Sequence, residues 1–119
     1  MGANIRLGID GDHDMKVSAN LMNGVFMFFS LNIKTMELVT TDEDGISYCA
    51  REYAKRLEIP IKVITSDANK EERNWKFVNC IDQMVVIWNG TSAESNKMIL
   101  EMANTNKTIH SCVMRSARG

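Results

Sequence analysis

The stretch MELVTTDEDGISYCAREYAKRLEIPIKVIT, Met36–Thr65, contains a complete β–α–β unit and decides the fold. Met36–Thr40 and Ile61–Thr65 are short and rich in apolar and β-branched residues, as buried strands are. Between them Ile46, Cys49, Ala50, Tyr53, Ala54 and Leu57 recur at helical spacing, with Arg51, Glu52, Lys55 and Arg56 on the opposite face. Thr41 or Asp42 is expected to cap this helix. Pro60 ends it and launches the next strand.

Working outward, the same alternation continues to both ends. Further strands are expected at Asn4–Ile9, Met84–Trp88 and Thr108–Val113. A helix is expected over Met15–Leu31 with Asp14 as its N-cap. Another spans Lys70–Ile81 behind Asn69, with Glu71 and Glu72 in its first turn. The last spans Ser92–Asn104, where Thr91 and Glu94 have capping-box spacing and Ser95, Met98, Ile99 and Met102 share one face. Alternating strands and helices on short links predict an α/β fold. It is a single Rossmann-like domain over residues 1–119, with a five-stranded parallel sheet and helices on both faces.

Composition narrows the function. The 119 residues are 45% apolar and 24% charged, with a net charge of −1. No run of Lys or Arg appears, so a nucleic-acid surface is not expected. The basic tail Arg115–Gly119 reads as a fraying end. Cys49, Cys80 and Cys112 are odd in number and form no CxxC pair or zinc spacing, so buried free thiols and a reducing, cytoplasmic setting are expected. The most apolar segment, Leu21–Leu31, is too short to span a bilayer and begins too far in for a signal peptide. Neither a membrane segment nor a metal or cofactor is expected. The charge-poor, apolar first helix points to a homodimer or higher homo-oligomer.

In a sheet of this kind ligands bind beyond the carboxyl ends of the strands. Four loops therefore carry the candidate chemistry. In the first, Gly8-Ile9-Asp10-Gly11-Asp12-His13-Asp14, glycines permit close approach of a ligand, while the three acids repel a bare phosphate. Its Asp10-x-Asp12 is similar to the nucleophile motif of haloacid-dehalogenase-type phosphatases, although Asp14 stands where that family has Thr or Val. The second loop, Thr40–Gly45, offers hydroxyls and a glycine among three carboxylates. The third leads to Arg73-Asn74-Trp75. Arg73 is the best candidate anion ligand there, its competing role being a surface pair with Glu71 or Glu72. Trp75 reads as a core residue. The fourth, Trp88–Asn96, sets Gly90 and hydroxyls at a helix start, a cradle for an anion. Its Glu94 is either a helix-capping residue or a nucleophile toward a glycosidic carbon.

The segment DGISYCAREYAKRLEIP, with Arg73-Asn74-Trp75-Lys76, IDQMVVIWNGTS (Ile81–Ser92) and MILEMA (Met98–Ala103), resembles the SLOG superfamily. It is most similar to its small bacterial and phage YspA/YpsA-type branch. The resemblance covers most of the chain from Met36 onward. It implies a Rossmann-like domain binding nucleotides or nucleotide-derived ligands, with Asp10, Gly11, Thr40, Gly45, Arg73, Asn74, Gly90 and Ser92 as ligand-binding residues. The family's glycine-rich turn is replaced here by the acidic Thr41–Asp44, and the PGGxGTxxE motif of its phosphoribohydrolase branch is missing. The expectation is therefore a non-catalytic module that senses or sequesters a nucleotide-like molecule, with Trp88 or Trp75 near the base. The alternatives are an enzyme cleaving N-glycosidic bonds, with Glu94 as nucleophile and Asp10 as acid/base, and a scaffolding domain with a decayed site.

Overall fold

A computed structural model describes residues 4–114; the basic tail Arg115–Gly119 lies outside them. Five strands, β1 (Ile5–Gly11), β2 (Met36–Thr41), β3 (Ile61–Ile64), β4 (Gln83–Trp88) and β5 (Thr108–Val113), form one sheet in the order β3-β2-β1-β4-β5. Every pairing is parallel. The intervening helices are α1 (Ala19–Phe28), α2 (Ile46–Arg56), α3 (Lys70–Cys80) and α4 (Ala93–Ala103). The α/β, Rossmann-like fold expected from the alternation is the one observed.

The period of two along each strand divides the interior into two cores. Leu7, Ile9, Val85 and Ile87 face α1 and α2, where Met22, Phe26, Ile46, Ala50 and Tyr53 close over them. Val39, Met84 and Val86 face α3 and α4, against Phe77, Ile81, Met98 and Met102. A side chain on Gly8 would collide with Phe77 and Ile81. That glycine brings α3 hard against β1. Asp10, two residues further along the same strand face, emerges just beyond this contact.

Several element ends differ from the sequence reading. The first helix starts at Ala19, not Met15, and its cap is Ser18, not Asp14: the Ser18 hydroxyl accepts from the Leu21 N–H at 3.1 Å. The preceding segment is held out of the helix, with the Val17 N–H on the Cys49 sulfur at 3.4 Å. At the other end Ser30 adopts a φ of 57° and the Leu31 N–H returns to the Phe26 carbonyl at 2.8 Å. This stops α1 three residues before Leu31. The second helix is capped by neither Thr41 nor Asp42 but begins at Gly45, whose φ is 70°. The fourth is capped by Ser92, which accepts from Ser95 N at 3.3 Å, so Thr91 and Glu94 form no capping box. Trp75 is 64% exposed and is not a core residue. Cys49, Cys80 and Cys112 are free thiols, partly rather than fully buried. Among the described residues no helix is long and apolar enough to cross a membrane.

Candidate functional site

Chain order along the sheet reverses between β1 and β4, so the loops leaving these two strands diverge to opposite sides and open a crevice. A cleft of about 110 Å³ lies there. The tip of β1 forms its floor with Asp10 and Gly11. The β2–α2 loop contributes Glu43, the first turns of α3 contribute Lys70, Arg73 and Asn74, and the start of α4 contributes Glu94 and Ser95. A wider hollow of about 840 Å³ lies at the amino ends of β1–β3. Its charged residues, Arg6, Lys34, Glu37, Glu58 and Lys62, are all exposed, so no pre-organised polar centre forms there.

Asp10 is the least solvated acid of the cleft. It accepts a hydrogen bond from Ser47 Oγ at 2.8 Å, and Ser47 in turn accepts from Thr41 Oγ1 at 2.9 Å. Burial outweighs these bonds and the nearby Arg73 charge, pushing its pKa up to about 6. Asp12 serves the architecture. Its carboxylate accepts from Ser95 Oγ at 2.6 Å and from the Asn89 N–H at 2.9 Å, tying β1 to the β4–α4 loop across the crevice. With both oxygens so engaged, Asp12 is not placed as the proton donor that the haloacid-dehalogenase-like reading of Asp10-x-Asp12 requires. Among the described residues no cluster of His, Cys, Asp and Glu could hold a metal ion.

Arg73 is buried, not a surface partner of Glu71 or Glu72. Its side chain is 11% exposed and reaches the β2–α2 loop, with Nη1 3.5 Å from Asp42 Oδ1 and Nη2 3.1 Å from Glu43 Oε2. Nη2 also donates to Asn74 Oδ1 at 3.1 Å. Its Nε is buried with no hydrogen-bond partner among the described residues. An orphaned buried donor of this kind costs about 1–3 kcal/mol. Lys70 Nζ lies 3.3 Å from Glu43 and 3.6 Å from Glu94, and His13 Nδ1 lies 3.2 Å from Glu94. Burial would raise the Glu43 carboxyl, but Arg73 and Lys70 outweigh it and hold the pKa below its ordinary value. The hydrogen bond and charge of Glu43, with the charge of Glu94, hold Lys70 above its own.

Of the residues singled out from the sequence, Asp10, Gly11, Arg73 and Asn74 line one cleft, as does Glu94. Thr40 is fully buried at the end of β2 and spends its hydroxyl on the Ile9 carbonyl at 2.7 Å. Gly45 is packed under the cleft: a Cβ there would strike the backbone of Asp12 and His13. Gly90 (φ 88°) and Ser92 shape the β4–α4 turn without lining the cleft. Neither tryptophan lines it. Trp88 donates to Ser111 on β5 at 2.9 Å, and Trp75 lies against a hollow beside β3. Sequence reasoning missed Glu43, Lys70 and His13 as cleft residues. Each is an ordinary polar loop or helix-start residue, and only the crossing of chain segments brings them together.

No protein-family model, curated protein or solved structure matches the chain.

Proposed function

We propose that the protein is a small, non-catalytic binding module for a nucleotide or nucleotide-derived ligand, seated over the strand ends at the β1/β4 crevice. The observation that carries this reading is Arg73: a buried guanidinium with an unsatisfied Nε, beside the buried carboxyl of Asp10, in a cleft at the position where such sheets bind ligands. The first turns of α3 and α4 border the same space and favour an anionic group. Asp10 suits a sugar hydroxyl, which it accepts without demanding a counter-charge. The resemblance to the SLOG superfamily supports the same ligand class. Among the described residues no Phe, Tyr or Trp lines the cleft, and the ring its lining offers to a base is that of His13.

The test is a thermal-shift panel of nucleosides, nucleotides and nucleotide sugars. A ligand at 100-fold its Kd adds about 2.7 kcal/mol of stability, a readable rise in Tm. The rise should shrink in Arg73→Met. No shift with any member of the panel overturns the reading.

A second reading rests on the two carboxyls, Asp10 and Glu94, that line one cleft, the first with a raised pKa. Paired acids in different environments are what an N-glycosidic cleavage requires. Release of free base from nucleosides, abolished by Glu94→Ala, would establish an enzyme; its absence in wild type supports the binder.

The same proposal includes self-association through α1. This helix carries no charged side chain and leaves Met27 70% and Phe28 81% exposed. A second copy is the partner such a face suits, because a two-fold contact sets a surface against itself and an uncharged one meets no like-charge repulsion.

A further inference from the structure

We propose that the Glu43 carboxylate is the resident occupant of an anion subsite, and that a phosphate group of the ligand binds between Lys70 and Arg73 by displacing it. The inference rests on the reading of the cleft as a ligand site and adds how that site selects and admits its ligand. Glu43 bridges the two cations, at 3.1 Å from Arg73 Nη2 and 3.3 Å from Lys70 Nζ, in a cleft that Glu71, Glu94 and Lys97 also line. The carboxylate therefore already fills the place in the cleft best suited to an anion.

One feature marks this occupant as imperfect. Nε and Nη2 share one edge of the guanidinium, and that edge is built for two parallel bonds to one oxyanion. Glu43 meets only Nη2, and Nε is left buried without a partner. A phosphate has enough oxygens to meet Nε, Nη2 and Lys70 together. The cleft, about 110 Å³, accommodates one such group and not a whole nucleotide, whose remainder lies across its mouth.

The exchange needs only a side chain to move. The loop backbone is pinned: Arg51 Nη1 donates to the Thr41 and Glu43 carbonyls at 2.6 and 2.9 Å, and the Glu43 N–H donates to Thr41 Oγ1 at 3.3 Å. The Glu43 side chain is 21% exposed, so it borders solvent and has a direction in which to swing. Its departure leaves Lys70 and Arg73 in place, held by Glu94 and Asp42.

The probe is inorganic pyrophosphate, titrated calorimetrically into the full chain. Glu43→Gln should bind it about tenfold or more tightly than wild type, since no internal anion competes. Equal or weaker binding, no binding to either protein, or a gain that survives in Glu43→Gln/Arg73→Met overturns the proposal. Should Glu43→Gln fail to fold, wild type still decides. At saturating pyrophosphate the Arg73 Nε–H resonance, assigned by its loss in Arg73→Lys, must shift, and an unmoved resonance overturns the displacement. Adenosine and its phosphates, run in parallel, separate the two claims. Nucleoside binding without the pyrophosphate gain removes the displacement and keeps the nucleotide reading. The gain without any nucleoside or nucleotide binding does the reverse.

Discussion

At the residue scale the cleft's chemistry turns on Asp10 and Arg73. Folded Asp10 holds its proton up to a pKa of about 6, against 3.8 for the ordinary side chain. The folded state therefore binds more protons than the unfolded chain between these values. The stability this contributes is fully present below pH 4 and is lost as pH rises through 6, by at most about 3 kcal/mol. Asp10→Asn keeps an acceptor for Ser47 and removes the charge. Urea unfolding at pH 5 and pH 7 should show the variant gaining on wild type at pH 7 and keeping only about half of that advantage at pH 5. An identical pH dependence in the two proteins would contradict the assignment. Arg73→Met leaves Glu43 and Asp42 without their guanidinium and should cost about 2 kcal/mol, less than a fully buried pair because solvent reaches both acids.

At the element scale the helices are set by their ends. Ser18 satisfies a free N–H at the start of α1, and Ser18→Ala should lower stability by about 1 kcal/mol in chemical denaturation. The effect should be larger at the start of α2. Gly45 has φ 70° and ψ −127°, and its α-carbon faces the backbone of Asp12 and His13. Gly45→Ala meets both a forbidden conformation and a collision, so a loss of at least about 2 kcal/mol is expected, with displacement of the loop that carries Glu43. The α1 and α2 C-termini use Ser30 (φ 57°) and Glu58 (φ 56°) in left-handed positions usually given to glycine. With no glycine to mark it, hydrophobic periodicity extends α1 three residues past its end. The apolar character of Phe29 and Leu31 comes from packing against the first core after the helix has stopped.

At the scale of the whole molecule, self-association is the first quantity to measure. Light scattering on the eluted protein should give twice the 13.4 kDa chain mass, and Phe28→Glu should return the monomer by placing like charges on both sides of the two-fold contact. A wild-type monomer at high concentration would overturn self-association through α1. The alternation of apolar runs with helical stripes by itself determined the α/β class, the five parallel strands and the buried faces of α2 and α4 at Ile46, Ala50, Tyr53, Ala54, Met98 and Met102, though not Leu57, which is 49% exposed, because burial of one face per element is written into local periodicity. Asp10 and Arg73 were also legible, as an acid at a strand end and a forked cation in a helix-start turn. The tertiary structure alone decided that Arg73 is buried, that Glu43 and Lys70 join it, that Asp12 ties β1 to β4 and that Trp75 and Trp88 face elsewhere. These contacts join residues as much as 83 positions apart, and their geometry depends on strand order, which no local pattern encodes.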